Sequence, residues 1–367
     1  MGKSYSTVEE KKKVVLAMVA LTKEDNIEDD LYELKNLAEA DNCEIVGKVF
    51  QNKDKPDPKF LLGTGKVEEL KEMVNKVNAD MVIFDNQLSG SKINNLEEYL
   101  GCKVIDRAML ILDIFASRAL SNEGKLQVEL AQLKYTLPRL SGMSGTSGRY
   151  GSGGIGMRGP GETKIELDRR EIERKIFEKT KELKKLKKER DLRREKRVLS
   201  NKPLVALVGY TNSGKSTLLN TITKANVLAK DMLFATLDTT TRSLWLGYKK
   251  EIMIVDTVGF VNKLPHELVE AFSSTLEEAV YADLLVHVVD ISNSEYKTQE
   301  QVVLKVLNKL GAGDKPIITV YNKCDKISED KMKETDKIYL SAKNNVNIDA
   351  LKKKIEEHLF PNQEDFF

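Results

Sequence analysis

Cysteine is scarce in this 367-residue chain: Cys43, Cys102 and Cys324 stand far apart and without metal-ligand spacing. That leaves no disulfide framework and no cysteine zinc motif, and it suits buried or incidental thiols in a reducing compartment. Histidine is as rare, with His266, His287 and His358 isolated from one another, so no histidine-rich metal centre is expected. No apolar run exceeds strand length, residues 284–289 being typical, which excludes an integral membrane segment. The start, Met1-Gly2-Lys3-Ser4-Tyr5-Ser6, lacks the apolar core of a signal peptide and matches only the short, unspecific myristoylation pattern. Net charge is nearly absent too: 59 basic residues against 57 acidic ones leave +2, a balance that hides local asymmetry. What remains is a globular composition, 41% apolar, long enough for two or three domains that each bury a core.

Strands alternate with helices from the outset. Residues 14–20 form an apolar run, 29–40 carry Leu31, Leu34 and Leu37 on one side of a helix, and 43–50 read as a strand around Ile45, Val46 and Val49. Helices over 66–77 and 92–100 precede strands at 81–84 and 104–105, which predicts a small α/β domain over 1–107. The tetrad Gly63-Thr64-Gly65-Lys66 lacks the frame of a phosphate loop and reads as the turn that starts a helix.

From 108 to 140 the period is purely helical. Ile111 and Phe115 lie four apart, and Leu126, Leu130, Leu133 and Leu137 keep a spacing of three or four until Pro138 ends the pattern. A second helix over 162–199 repeats Ile165, Ile172, Ile176 and Leu183, and would reach about 57 Å. Between them, residues 141–161 include nine glycines in twenty-one. The simplest geometry over 108–200 is an antiparallel helical hairpin, coiled-coil in character, with a glycine-rich tip loop. That tip has two readings, a flexible end with no binding role or an RNA-reading loop in which Arg139, Arg149, Arg158 and Tyr150 bind phosphate and stack on bases. The second helix favours RNA: residues 168–197 carry fifteen Lys/Arg against eight Asp/Glu. Such a run is commonly a solvated face, but on a projecting hairpin it also makes a rail for a phosphate backbone.

The strongest motif is Gly209-Tyr210-Thr211-Asn212-Ser213-Gly214-Lys215-Ser216, preceded by an apolar strand at 204–208 and followed by Thr217-Leu218-Leu219-Asn220. Strand, glycine-bounded loop and helix are the context that a phosphate-binding loop requires. Its backbone N–H groups and helix start would cradle phosphates, Lys215 would neutralise the β- and γ-phosphates, and the Ser216 hydroxyl would hold Mg²⁺. Forty residues on, a strand at 252–255 ends in Asp256-Thr257-Val258-Gly259, where Asp256 would meet Mg²⁺ through water and the Gly259 N–H would sense the γ-phosphate. A strand at 316–321 leads into Asn322-Lys323-Cys324-Asp325. The Asp325 carboxylate can accept from guanine N1–H and its exocyclic amine, which adenine cannot reproduce, so GTP and GDP are expected and ATP disfavoured. Asn322 would brace the loops, Lys323 would lie along the base, and Ser341-Ala342-Lys343 would offer a backbone N–H to the guanine oxygen. Residues 226–243 read as a polar, mobile segment. Phe260, directly after Gly259, can neither donate nor accept a hydrogen bond, so slow intrinsic hydrolysis is expected, with help from a partner or from Asn262 or His266.

Together these motifs resemble the translation-factor-related GTPases, and flanking residues narrow the likeness to the HflX family. The marks are Leu61-Leu62-Gly63-Thr64-Gly65-Lys66-Val67-Glu68-Glu69-Leu70, Val104-Ile105-Asp106-Arg107, and Leu110-Ile111-Leu112-Asp113-Ile114-Phe115-Ala116. Gly124-Lys125-Leu126-Gln127-Val128-Glu129-Leu130-Ala131-Gln132-Leu133, Gly159-Pro160-Gly161-Glu162-Thr163 and Phe234-Ala235-Thr236-Leu237-Asp238 complete them. The resemblance covers nearly the whole chain and implies an α/β protein in three parts: the N-terminal domain 1–107, the hairpin 108–200 and a Ras-like P-loop GTPase domain over 201–367.

By the same resemblance, Phe234 to Asp238 lie beside the nucleotide, and Thr236 is the switch threonine that joins Ser216 on Mg²⁺. Spacing alone leaves Thr239, Thr240 and Thr241 equally open. Lys215, Thr236 and Gly259 would then serve catalysis. The resemblance further implies a cytoplasmic monomer that binds the ribosome, chiefly the large subunit and its ribosomal RNA, and separates the subunits of stalled or idle particles. The hairpin tip would enter the peptidyl-transferase region. A switch acting on a protein or membrane partner is the alternative. By the resemblance, Thr239 and Gly90 stand where the family commonly has proline and Asn347 where it has glycine, and with the sequence ending at Phe367 the extra C-terminal domain of some relatives is expected to be absent.

Overall fold

A computed structural model describes all residues except 1–10, 22–25, 141–159, 200–201, 225–232, 235–236, 238, 248–249, 264–272, 329–331, 333–336 and 362–367. The chain divides into two compact units, one of Met1–Ile114 with Leu130–Glu178, the other of Phe115–Glu129 with Lys179–Phe367. The helices α4 (Arg107–Arg118), α5 (Asn122–Leu140) and α6 (Pro160–Leu199) contribute residues to both.

In the first unit, β1 (Lys12–Ala20), β2 (Cys43–Asn52), β3 (Met81–Phe84) and β4 (Lys103–Asp106) form an all-parallel sheet in the order β2-β1-β3-β4. Seven consecutive residues of β1, Val14 to Ala20, are buried, because a central parallel strand is covered on both faces. The covering helices are α1 (Ile27–Ala40), α2 (Thr64–Val77) and α3 (Gly90–Leu100). Helix α2 starts in the tetrad read above as a helix-start turn, with Gly63 as its N-cap and the Gly63 N–H donating to Gln51 Oε1 at 2.8 Å. Left-handed Asn78 and Gly101 end α2 and α3, the usual way to satisfy terminal carbonyls.

The predicted continuous helix over 108–140 is two helices. Ser121 breaks it, its Oγ accepting from the Gly124 N–H at 2.9 Å and so capping α5. Pro138 lies inside α5, two residues short of its end. Arg139, one of the arginines assigned to the RNA-reading alternative, turns inward: it stacks 3.3 Å from the Tyr135 ring centroid and lies 3.6 Å from Asp106 Oδ2, an oxygen that also accepts from the Tyr135 hydroxyl.

In the second unit, β5 (Leu204–Gly209), β6 (Thr240–Gly247), β7 (Lys250–Asp256), β8 (Leu284–Asp290), β9 (Ile317–Asn322) and β10 (Ile338–Tyr339) form a sheet in the order β10-β9-β8-β5-β7-β6, with only β6 antiparallel to its neighbour. Helices α7 (Lys215–Thr223), α8 (Ser273–Tyr281), α9 (Tyr296–Lys309) and α10 (Ile348–Leu359) belong to this unit. Val205, Leu207, Leu218, Ile254, Val286, Val320 and Leu351 are among the residues of its core. Because β5 lies between β7 and β8, the order reverses at its carboxyl end, where open α/β sheets place their ligands. Also here, Glu129 pairs with Lys179 and Glu123 with Arg190, a register that runs α5 and α6 antiparallel as a hairpin requires. Among the described residues no helix is long and apolar enough to cross a membrane.

Candidate functional site: a nucleotide-binding centre

The loop after β5 has the backbone that its glycines permit. At Gly209 a β-carbon would overlap the Val288 carbonyl oxygen, and at Gly214, with φ +95°, it would overlap Asn322 Nδ2. Asn212 also takes a left-handed conformation, φ +59°, which asparagine tolerates better than most residues. Helix α7 begins at Lys215 with Gly214 as its N-cap and no side chain capping it. Its first N–H groups and its dipole therefore face the loop, an arrangement that favours an anion. The buried hydroxyls of Thr211 and Ser213 have no hydrogen-bond partner among the described residues, a polar lining that a phosphate suits.

Lys215 is buried, and its ammonium donates to the carbonyls of Gly209 at 3.1 Å and Tyr210 at 2.9 Å. Burial pushes its pKa down to about 8, against a smaller upward pull from Asp256. The Ser216 hydroxyl donates to Asp256 Oδ2 at 2.6 Å, so the two oxygens named by the motifs meet. One hydroxyl and one carboxylate fit Mg²⁺, which takes few protein oxygens and keeps phosphate and water for the rest. His287, opposite Val208 in the sheet, is pushed down to about 4 by burial and by Lys215, and stays neutral in the core.

The segment after β7 is fastened to the loop. The Phe260 N–H donates to the Gly209 carbonyl at 3.1 Å, the Thr211 N–H donates to the Phe260 carbonyl at 2.7 Å, and the Asn262 N–H donates to the Tyr210 hydroxyl at 2.6 Å. Gly259 is pressed against the loop: a β-carbon there would lie 2.7 Å from Thr211 Cα and 3.0 Å from Lys215 Nζ. Thr257 is buried and donates to the Leu207 carbonyl at 2.7 Å, Val258 is buried, and the Phe260 ring is 2% exposed. Phe234 and Leu237 are buried as well, while Ala235, Thr236, Asp238 and His266 lie outside the described residues.

On the base side, Asn322 Nδ2 donates to the Ser213 carbonyl at 2.8 Å and its Oδ1 accepts from the Ala342 N–H at 3.0 Å, the bracing expected of it. Ser341 is buried, with its Oγ accepting from Asn344, and Lys343 is exposed. Asp325 sits exposed on a short 3-10 turn, Cys324–Lys326, with Cys324 buried behind it and its thiol pushed up by burial. Lys323, at φ +64°, donates to the Asn212 carbonyl at 2.8 Å and also meets Asp290 Oδ2 at 2.8 Å. Sequence reasoning missed Asp290. The available signal was a carboxylate ending a buried strand, and its register partner in β9 is Asn322 itself.

Known proteins resemble this chain over most of its length. Residues 28–116 match the family model described as GTP-binding GTPase N-terminal, 118–197 the GTP-binding GTPase Middle Region, and 204–323 the 50S ribosome-binding GTPase. The GTPase HflX of Caldanaerobacter subterraneus subsp. tengcongensis is 50% identical over 97% of this chain and 82% of its own length. The GTPase HflX of Escherichia coli K12 is 41% identical over 94% of this chain and 82% of its own. Among solved structures, the crystal structure of SsGBP in complex with GDP aligns with TM-score 0.53 and 29% identity, covering 94% of this chain and 98% of that one. A phosphate loop braced by the base-side loop, on a chain alike over most of its length, makes the assignment: this chain belongs to the HflX family of GTPases.

Proposed function

We propose that this GTPase acts on the ribosome, chiefly on the large subunit, and couples its nucleotide state to separation of the subunits of stalled or idle particles. The observation that carries the reading is on α6. Lys184, Lys185 and Lys188 are exposed and make no ion pair among the described residues, whereas Lys187 is committed to Glu277 at 2.7 Å. Uncommitted ammonium groups along one helix gain from an RNA backbone, because each neutralised phosphate releases counterions. The family model over 204–323, described as a 50S ribosome-binding GTPase, supports the same reading. In it the N-terminal domain is 1–107, the hairpin 108–200 with its tip loop 141–161, and the GTPase domain 201–367, working as a monomer in the cytoplasm.

At the nucleotide, Lys215 and the first amides of α7 hold the β- and γ-phosphates, the Gly259 N–H faces the γ-phosphate, and Asp325 with a backbone N–H of the Ser341-Ala342-Lys343 loop reads guanine. Ser216 and Thr236 would hold Mg²⁺, with Asp256 meeting it through water, and the ion would supply neutralisation of phosphate charge. Since Phe260 is buried in the core and cannot orient water, hydrolysis is slow alone and is stimulated by the ribosome.

Co-sedimentation with purified ribosomal subunits, in a GTP-analogue and in GDP across a salt series, tests this. The analogue state should bind large subunits, lose affinity steeply with salt, and weaken at least tenfold on Lys184→Gln, Lys185→Gln and Lys188→Gln together. Binding indifferent to nucleotide, salt and these charges would instead favour a protein or membrane partner.

A further inference from the structure

The phosphate loop holds one aromatic residue, Tyr210, and it is buried, with 8% of its surface exposed. A buried phenol needs a partner for its polar end. Tyr210 finds one outside the loop, its hydroxyl accepting from the Asn262 N–H at 2.6 Å. Of the three bonds described above between the loop and residues 260–262, two run backbone to backbone, joining Phe260 to Gly209 and Thr211 to Phe260. Almost any side chains would leave those two in place. Only the third depends on which residue stands at position 210. The turn it reaches needs holding, because Lys263, directly after Asn262, takes a left-handed backbone at φ +53° that a lysine keeps only when its surroundings impose it.

Gly259, three residues before Asn262, is packed so closely that a β-carbon on it would lie 3.0 Å from Lys215 Nζ. Lys215 in turn donates to the Tyr210 carbonyl at 2.9 Å. Tyr210 therefore grips the Gly259 segment through its phenol and the phosphate-binding ammonium through its carbonyl. We propose that Tyr210 is a positioning residue for recognition of the γ-phosphate: its hydroxyl fixes the turn after Gly259, so that the Gly259 N–H is held beside Lys215 before nucleotide arrives. Tyr210 needs no contact with the nucleotide to do this. The proposal rests on the γ-phosphate role given to Gly259 above. A segment already in place loses little conformational entropy when it meets a phosphate, whereas a loosened one must be ordered at that moment. GDP has no γ-phosphate, so removing the hydroxyl should penalise GTP and spare GDP.

The experiment compares wild type with Tyr210→Phe, which keeps the ring and removes only the hydroxyl, and with Gly259→Ala, whose added methyl would push the segment off the loop. All are made in the full chain. Melting temperature, amide hydrogen exchange resolved at Asn262, and calorimetric affinities for GDP and a non-hydrolysable GTP analogue are measured. In nucleotide-free wild type the Asn262 amide should already exchange slowly. Tyr210→Phe should fold, speed that exchange, weaken the analogue at least about threefold and change GDP by less than about twofold, the scale of one neutral hydrogen bond. Gly259→Ala should lose the preference for the analogue as well. Free exchange at Asn262 in wild type would overturn the proposal whatever the variants do. Equal weakening of both nucleotides in Tyr210→Phe would overturn it too, as would a wild-type preference there while Gly259→Ala loses it; in both cases the role of Gly259 stands. An unchanged preference in Gly259→Ala would remove the role assigned to Gly259, and the proposal with it.

Discussion

Asp290 holds the ammonium of Lys323 at 2.8 Å, and that same ammonium reaches across to the Asn212 carbonyl of the phosphate loop. The other Asp290 oxygen, Oδ1, accepts from the Ser292 N–H and hydroxyl, so the carboxylate is fixed before it fixes Lys323. Both partners are largely shielded, with side chains 17% and 15% exposed. Losing a hydrogen bond to a charged group costs about 1.5 to 3 kcal/mol in such a setting. Asp290→Ala should therefore weaken GDP and GTP binding by roughly ten- to a hundredfold, with kcat at saturation little changed, because Lys323 serves the base side and not the reacting phosphate. Calorimetric affinities alongside saturating turnover would separate the two effects. A large loss of kcat at unchanged affinity would contradict this placement.

Lys215 gives the site a pH dependence whose sign can be worked out. Its folded pKa lies near 8, against about 10.4 in an unfolded chain. Between those values the unfolded chain binds more protons, so this group makes stability rise with pH across the window. Nucleotide binding has the opposite trend. Bound phosphate favours the ammonium, so binding takes up a proton above pH 8, and affinity should be flat below that value and fall by up to tenfold per unit above it. Titration calorimetry of GDP in buffers of different ionisation enthalpy would show proton uptake at pH 9 and none at pH 7. An affinity that is level from 7 to 9.5 would mean the lysine stays charged throughout.

Much of this was legible in the sequence because it is local. The strands that carry the motifs are largely apolar runs with each motif at the carboxyl end of one, so the loop spanning Gly209–Ser216 could be read directly, whereas Thr240 to Ser243, read as part of a polar, mobile segment, begin strand β6 because they pair with β7. The break at Ser121 carries neither proline nor glycine, and the helical period runs across it without a phase change, which hid it. Arg139 was read as basic and therefore outward. It is instead held by Tyr135 and Asp106 through contacts that join α5 to the end of β4. Asp290 and the bond from Asn262 to the Tyr210 hydroxyl were illegible for the same reason: each depends on residues that sequence spacing does not bring together.

Gly90 has a physical role at the start of α3. A β-carbon at Gly90 would overlap the Arg139 carbonyl oxygen, so the start of α3 and the end of α5 approach as only a glycine allows. Gly90→Ala should force them apart at a cost of about 1 to 3 kcal/mol. Thermal unfolding of the full chain should show an earlier transition, with GDP affinity unchanged. An unchanged melting profile would show that the two helix ends separate freely.

Arg190 joins three helices of the second unit, donating to Glu123 of α5 at 2.7 Å and to Glu277 of α8 at 2.9 Å from its own position on α6. Its side chain is 15% exposed, so the bonds are partly shielded from solvent and worth more than surface pairs. Arg190→Ala leaves Glu123 without this cation, while Glu277 keeps Lys187 at 2.7 Å. A loss of about 1 to 3 kcal/mol is expected, smaller than for a fully buried pair because water can reach the stranded carboxylate. Arg190→Lys should recover less than half of it, since a single ammonium cannot hold two carboxylates in a planar fork. In a double-mutant cycle with Glu277→Gln, the coupling between the two positions should be at least about 0.5 kcal/mol. Full recovery by lysine would show that charge alone, and not the guanidinium geometry, ties α8 to the root of the hairpin.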